Sequence, residues 1–168
     1  GFTRSIEAGY TFGLKDWVSE DGTQNAARLR LEAQVIRMGV RADRHVDIEN
    51  FTVDGTGAGI TLELTEGLTV TTRDTAVSAA DAATISGRLG GDLALTSSEG
   101  NAISATESTA GANTAQAVNF TLNGGTATIE TQGDAIYASG FNSSVSLSGA
   151  SDYVITSATG SALRSENG

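Results

Sequence analysis

The sequence contains no cysteine and no proline, and only 5% of its 168 residues are aromatic. Without cysteine, neither disulfides nor thiolate metal sites can form. With so few aromatic rings, the core must be built from small and β-branched residues. The chain also lacks an apolar run of about 18 residues, which excludes a transmembrane helix.

Basic residues are scarce as well: ten Lys and Arg stand against twenty Asp and Glu, for a net charge of −10. This balance argues against nucleic acid and against an anionic membrane surface as partners, because both attract Lys and Arg. The excess of acid lies in residues 46–168, with three basic against fourteen acidic residues, whereas residues 1–45 hold seven against six. We therefore predict two parts, 1–45 and 46–168.

The chain does contain a repeated motif. Four near-copies, DTAVSA, GNAISA, GDAIYA and GSALRS, begin at Asp74, Gly100, Gly133 and Gly160, with spacings of 26, 33 and 27 residues. Periods of about 20–50 residues are typical of repeat architectures. Each copy follows an alternating run (68–72, 93–97, 127–131 and 153–157), and the first three are followed by another alternating run that ends in Gly (83–87, 118–125 and 145–149).

Three short strands in each unit of about 26 residues predict a parallel β-helix, because a propeller blade needs longer strands and about 40 residues. Stacking the units would align one ladder through Val70, Leu95, Ile129 and Ile155, and a second through Val77, Ile103, Ile136 and Leu163. We predict an all-β fold: a right-handed parallel β-helix (β-solenoid) of about five coils over 46–168, with an N-terminal antiparallel hairpin over 1–45. The hand is inferred from chain chirality together with the family resemblance described below, not from residue spacing.

Polar residues around the motif suit the corners of such a coil. Thr and Ser side chains are expected to form ladders between coils through their hydroxyl groups. Asn101, Asp134 and Ser161 each follow the glycine of a copy, where we expect their side chains to bond the local backbone of a tight turn. The spacing of 33 residues predicts a long loop over 106–117.

The stretches GNAISA, GDAIYASG and VSLSGASDYVITSATGSALRS resemble the passenger domains of Gram-negative autotransporters (type V secretion) of the pertactin type. The resemblance covers about 68–168 and is one of repeat style. It implies a right-handed β-helix that is secreted across the outer membrane, and therefore a location at the bacterial cell surface, in the outer membrane or outside the cell. It also implies an adhesive role toward a host or bacterial cell-surface protein or glycan.

Residues 1–45 resemble something else. IEAGYTFGL (6–14) and ARLRLEAQVIRMGVRAD (27–43) are similar to a hairpin of an autotransporter translocator barrel, whose strands alternate apolar and polar residues. Two strands cannot close a barrel, and in that family the barrel follows the passenger. The alternative is a soluble amphipathic hairpin that caps the end of the solenoid.

Candidate chemistry is sparse. His45, the only histidine, lies in DRHVD (43–47), and without a GxSxG motif it is predicted to be a surface residue. Carboxylate pairs on β-helices can cleave polysaccharides, and copies of the motif carry acids near the turn, as with Glu99 and Asp134. A solvated charged rim is the simpler interpretation of all seven candidates: Glu63, Glu66, Asp74, Asp92, Glu99, Glu130 and Asp134.

We therefore predict a protein that is not an enzyme, with no catalytic residue, cofactor or metal. The predicted function is a surface-exposed or secreted structural stalk or adhesin that presents loops such as 106–117. Tyr137 and Tyr153, the two tyrosines among the coils, are the predicted partner contacts. Two alternatives stay open: a carbohydrate-active β-helix enzyme, and part of an outer-membrane translocator barrel with its attached passenger.

Overall fold

The computed structural model describes residues 10–13, 30–34, 37–42 and 45–166. Its regular elements are strands, and none of the residues described forms a helix long and apolar enough to cross a membrane. In chain order the strands are β1 (Tyr10–Gly13), β2 (Arg30–Gln34), β3 (Arg37–Ala42), β4 (Val46–Ile48), β5 (Asn50–Asp54), β6 (Gly59–Leu64), β7 (Leu68–Thr72), β8 (Val77–Ala80), β9 (Thr84–Leu89), β10 (Leu93–Ser97), β11 (Ile103–Thr106), β12 (Ala115–Leu122), β13 (Thr126–Thr131), β14 (Ile136–Ser139), β15 (Asn142–Ser148), β16 (Asp152–Ser157) and β17 (Leu163–Glu166).

These strands form three parallel sheets. Apart from β1, which pairs with β3, paired strands are always three places apart in the chain. The sheets have the orders β1-β3-β6-β9-β12-β15, β4-β7-β10-β13-β16 and β2-β5-β8-β11-β14-β17. Each coil therefore contributes one strand to each sheet, and about five coils stack along one axis. The predicted fold class, an all-β parallel β-solenoid of about five coils, is confirmed.

Much of the predicted N-terminal hairpin lies outside the described residues. The strands that are described within 1–45 pair in parallel: β1 with β3, β2 with β5 and β3 with β6. This pairing joins β1, β2 and β3 to the three sheets of the solenoid and differs from the antiparallel pairing expected there. The division of the chain after residue 45 stays a prediction.

Both predicted ladders are present in register. Leu95 pairs with Val70 on one side and with Ile129 on the other, and Ile129 pairs with Ile155. The second ladder runs upward from Phe51 through Val77, Ile103, Ile136 and Leu163. Because alternate residues of a strand face opposite sides of a sheet, these ladders point into the solenoid.

The core is a column of aliphatic side chains with few rings. Its largest fully buried side chains are Phe51, Phe120, Ile48, Ile60, Leu62, Leu68, Ile85, Leu93 and Leu95. The alanines of the repeated motif, Ala76, Ala102 and Ala135, are also fully buried, at the corner where the chain enters the third sheet. This corner has room only for a small side chain.

The glycine of the motif is explained by close approach between coils. A Cβ atom at Gly100 would lie 2.8 Å from the carbonyl carbon of Asp74, and one at Gly133 would lie 2.9 Å from the carbonyl oxygen of Gly100. Contacts this short are steric clashes with backbone, which cannot move aside without breaking the stack. Glycine is therefore the residue that lets these corners lie directly above one another.

Hydroxyl groups join the coils at the same corner, as expected. Ser97, Thr131 and Ser157 end equivalent strands, and each donates a hydrogen bond of 2.5–2.6 Å to a carbonyl of the preceding coil, at Asp74, Gly100 and Gly133 respectively. The expectation that Asn101 and Asp134 bond their local backbone is corrected. The Asn101 side-chain oxygen accepts from the Asp134 amide at 2.8 Å, and Asp134 accepts from the Ser161 amide at 2.8 Å, because stacked corners bring the next coil within reach.

Gly87 in β9 provides the space for the ring of Phe120, so Gly87→Ala should destabilise the fold. A Cβ atom there would lie 2.7 Å from Cδ1 of the fully buried Phe120. We expect a loss of about 1–3 kcal/mol in the free energy of unfolding, the usual cost of overpacking a core, measured by urea denaturation. Phe120→Leu should offset part of this loss when combined with Gly87→Ala. Strict additivity of the two changes would contradict the contact.

Candidate functional site

Tyr137, the first predicted partner contact, lies on the outer face of β14 in a network of charged side chains. Its hydroxyl donates to Glu166 at 2.9 Å, and the Arg164 guanidinium lies 5.5 Å from the ring centroid. Arg164 also contacts Glu166 and lies 3.3 Å from Asp134. Hydrogen bonds from Arg164 and then Tyr137 lower the pKa of Glu166. Tyr137 is half-buried, so a partner would meet a side chain already held by its neighbours.

Tyr153, the second predicted contact, lies on the last described coil and is 45% exposed. Its hydroxyl accepts a hydrogen bond from the Ala150 amide at 3.3 Å. Strands β15, β16 and β17 each lie at the edge of their sheet, and this end of the stack exposes further large apolar side chains: Phe141, Val154 and Leu163. Tyr153 therefore belongs to an apolar surface, and its role as a partner contact stays a prediction.

The acids proposed as a carboxylate cluster are dispersed along the coils. Most of them are exposed, but Asp134 is buried at a corner, which corrects the expectation that it belongs to a solvated rim. Glu99 forms an ion pair with Arg73 at 2.9 Å, and its amide donates to the carbonyl of Arg73, so it stacks on a basic residue. Hydrogen bonding and charge from Glu99 raise the pKa of Arg73. Asp134 stacks on Asn101, and Asp92 accepts a hydrogen bond of 2.8 Å from the Thr126 amide. Asp74, Glu66 and Glu130 are exposed.

One carboxyl pair that the sequence did not indicate joins Asp54, at the end of β5, to Asp81, just after β8. Burial raises the pKa of Asp54, and the hydrogen bond and charge of Asp81 raise it further. Asp81 is held in its charged form, because the Ser108 hydroxyl at 2.7 Å and the Ser108 amide at 2.8 Å both donate to it and lower its pKa. The pair and Ser108 link three successive coils at one corner.

Asp54→Asn should raise the stability of the protein at pH 7. A raised folded-state pKa means that the contribution of Asp54 is present below its unfolded pKa of about 4 and is lost as the pH rises. An amide keeps a donor toward Asp81 without the repulsion between two charges. We expect a gain of only about 1–3 °C in Tm at pH 7, because the pair is partly exposed and solvent screens its charges. The gain should disappear below about pH 4.

The control for this change is Glu130→Gln, which removes one negative charge from an exposed position on β13. An equal gain in both variants would assign the effect to net charge and would contradict a specific repulsion between Asp54 and Asp81. Thermal unfolding followed by circular dichroism at several pH values decides between the two.

His45 is exposed, as predicted, and its contacts do not form a catalytic relay. Its Nε2 atom lies 2.8 Å from the Thr69 hydroxyl and 3.7 Å from a carboxylate oxygen of Asp47. In a nucleophile–histidine–acid triad, the nucleophile and the acid contact opposite ring nitrogens. Here both neighbours lie at the same nitrogen, so the arrangement is that of a surface cross-link between coils.

The predicted loop 106–117 is a loop over 107–114 in the structure, because Ala115–Ala117 extend β12 and pair with β15. Both of its ends are bonded. Glu107 accepts a hydrogen bond from the Thr114 amide at 2.7 Å, which closes the base of the loop. The next five residues from 109 to 113 are all exposed. The loop is thus a closed projection on a regular scaffold.

Gln116 supports this loop from inside the solenoid, where it is fully buried. Its side-chain oxygen accepts from the Thr114 hydroxyl at 2.8 Å and from the Ala82 amide at 3.2 Å, and its side-chain nitrogen donates to the Ser143 hydroxyl at 2.5 Å. Ala82 has a positive φ of 73°, an uncommon conformation for alanine. Gln116 therefore joins three coils at the corner that carries the loop.

Gln116→Ala should be strongly destabilising, with a loss of about 2–4 kcal/mol in the free energy of unfolding, since each buried polar group left unpaired costs about 1–3 kcal/mol. The matched control is Gln132→Ala at an exposed position, for which we expect a change within about 0.5 kcal/mol. Both are measured by urea denaturation. Similar losses in the two variants would contradict the bridging role of Gln116.

A groove of about 910 Å³ lies at the corner where β3, β6, β9 and β12 of the first sheet end. Its rim carries Arg41, Glu63, Arg88 and Thr121, which occupy equivalent outward positions on β3, β6, β9 and β12. The Arg41 Nε atom lies 3.1 Å from Glu63. From the sequence, Glu63 is expected to be one of seven acids of a charged rim, and the register of the first sheet is the signal that places it between two arginines.

Within the part of the chain that the structure describes, no three His, Asp or Glu residues lie close enough together to hold a metal ion. No family model, curated protein or solved structure matches the chain significantly. The β-solenoid fold therefore rests on the strand pairing, and the likeness to autotransporter passengers rests on the style of the repeat.

Proposed function

We propose that this chain is a non-catalytic β-helical segment of an autotransporter-like protein at the bacterial surface, where it acts as a stiff stalk or adhesin. Its partner would be a protein or glycan on a host cell or a neighbouring bacterium. The resemblance of the repeat to pertactin-type passengers supports the location, and the stacked coils support the mechanical role.

The adhesive function is supported most directly by the way the solenoid holds loop 107–114. Its base is closed by Glu107 and Thr114, Ser108 is bonded to Asp81 of the preceding coil, and Gln116 supports it from the core. Its exposed tip is thus presented without the entropic cost of ordering a free loop on binding. Binding residues are concentrated on loops that a rigid scaffold positions.

Stiffness is the second support. Each strand inside the stack pairs with a strand of the coil before and of the coil after, and hydroxyl groups add further bonds between coils. In such repeat proteins the stability of each unit depends on its neighbours, so the coils resist separation as a unit. A scaffold of this kind can hold a binding loop at a distance from an anchoring surface.

Replacing residues 109–113 by Gly-Ser-Gly-Ser-Gly should abolish most cell binding while it leaves the fold intact. The replacement retains the bonds of Glu107, Ser108 and Thr114. We expect the purified wild-type chain to bind host or bacterial cells or matrix proteins, and the variant to bind at least about tenfold more weakly, the loss of about 1.4 kcal/mol. Binding is measured with the labelled chain on whole cells and on immobilised matrix.

The control carries three changes at exposed positions of β12 and of β15, which pairs with it: Asn119→Ser, Ser144→Ala and Ser146→Ala. It should bind like the wild type. A wild-type chain that binds neither cells nor matrix would contradict the adhesive function. A loop variant that binds as well as the wild type would place the contact elsewhere on the chain and would contradict the role of this loop.

A further inference from the structure

Arg88 differs from the other two arginines of residues 46–168. Arg73 is paired with Glu99, and Arg164 with Asp134 and Glu166. Arg88 is exposed on β9 and makes no hydrogen bond or ion pair in the described structure. The chain has a net charge of −10, so an unpaired cation at a groove is unusual. It could bind an anionic group of a ligand.

The neighbours of Arg88 leave its charge uncompensated. Glu63 is adjacent to Arg88 in the register of the sheet, but its carboxylate contacts Arg41 at 3.1 Å. The groove therefore carries two guanidinium groups and one carboxylate, and it is a positive site on a negative molecule. A guanidinium group binds a carboxylate through two parallel hydrogen bonds, which gives direction as well as attraction.

The lining of the groove is mixed, and more of the surface accessible to a ligand is apolar than polar. The three leucines below the rim, Leu64, Leu89 and Leu122, are only 2–4% exposed. The polar groups at its surface include the hydroxyls of Thr65 and Thr121 and the amide of Asn123. Such groups can exchange hydrogen bonds with the hydroxyls of a sugar.

The backbone argues against a peptide as the ligand. Extended peptides commonly bind by adding a strand to an open sheet edge. The groove lies across β6, β9 and β12, and each of these strands is already paired on both sides. No strand edge is available there, so a peptide cannot bind by adding a strand, and any ligand of the groove must be recognised by side chains.

We propose that this groove, lined by Arg41, Glu63, Arg88 and Thr121, binds an acidic oligosaccharide, with Arg88 contacting a sugar carboxylate. The row spans three steps between strands, or about 14 Å, which suits an extended chain of a few sugar units. The proposal adds a ligand class to the adhesive function proposed above. It uses a different surface from loop 107–114, so either proposal can fail without the other.

The test is a titration of the purified chain with tetragalacturonate, followed by NMR chemical shifts and by calorimetry, with maltotetraose as the neutral control. We expect saturable binding of tetragalacturonate at least about tenfold tighter than of maltotetraose, and weaker at high salt. Arg88→Ala should reduce this affinity about tenfold, since it removes a charge-assisted contact. The matched control Arg73→Ala, an equal loss of charge outside the groove, should leave the affinity unchanged.

Glu63→Gln provides a change in the opposite direction. It removes the carboxylate from the groove and releases Arg41, so binding of tetragalacturonate should tighten about threefold, the size of an exposed charge effect. A residue with only a structural role would not produce such a gain. Glu63 and Arg88 are exposed, and an unchanged Tm in each variant confirms that the fold is retained.

Several results would overturn the proposal. They are an absence of saturable binding up to about 10 mM ligand, equal affinity for the acidic and neutral sugars, or an equal loss in the Arg73 and Arg88 variants. Tetraglutamate binding as tight as that of tetragalacturonate would show that the groove recognises charge and not a sugar, and would also overturn it. Cell binding that depends on residues 109–113 would still support the adhesive function in each of these cases.

Discussion

The pairing of each strand with its equivalent in the next coil is the interaction on which the rest of this molecule depends. A single coil has strands of three to eight residues and no core of its own. Only when Leu95 lies between Val70 and Ile129 do those side chains become fully buried. Burial of apolar area supplies the stability, and the parallel hydrogen bonds set the register that makes the burial continuous.

At the corners, the backbones of successive coils lie so close together that most side chains would clash. Glycine removes the side chain where two coils approach, as at Gly100 and Gly133. Polar side chains then bond across coils: Asn101 to Asp134, and Gln116 to Ala82 and Ser143. Because these bonds fix the corner itself, one coil can carry the loop 107–114 without any shift in the strands on either side.

The outer surface holds the candidate chemistry, and there the sequence was a weaker guide. The repeat located Tyr137 and Asp134 on outward or corner positions, but it did not show that Arg164 and Glu166 of the next coil engage them. It also missed the pairing of Asp54 with Asp81, because the copies of the motif were aligned only from Asp74 onward. No sequence motif predicts the groove at Arg88, because its residues come from four different coils.

The sequence by itself determined which residues stack, because a parallel solenoid converts spacing along the chain into position along the axis. The period placed Val77, Ile103 and Ile136 in one ladder and the glycines at one corner, without any knowledge of the coordinates. Only the tertiary structure decided which outward side chains meet, such as Arg41 with Glu63. Those contacts depend on how far each flexible side chain reaches across a gap of about 4.8 Å between coils, and no periodicity encodes that reach.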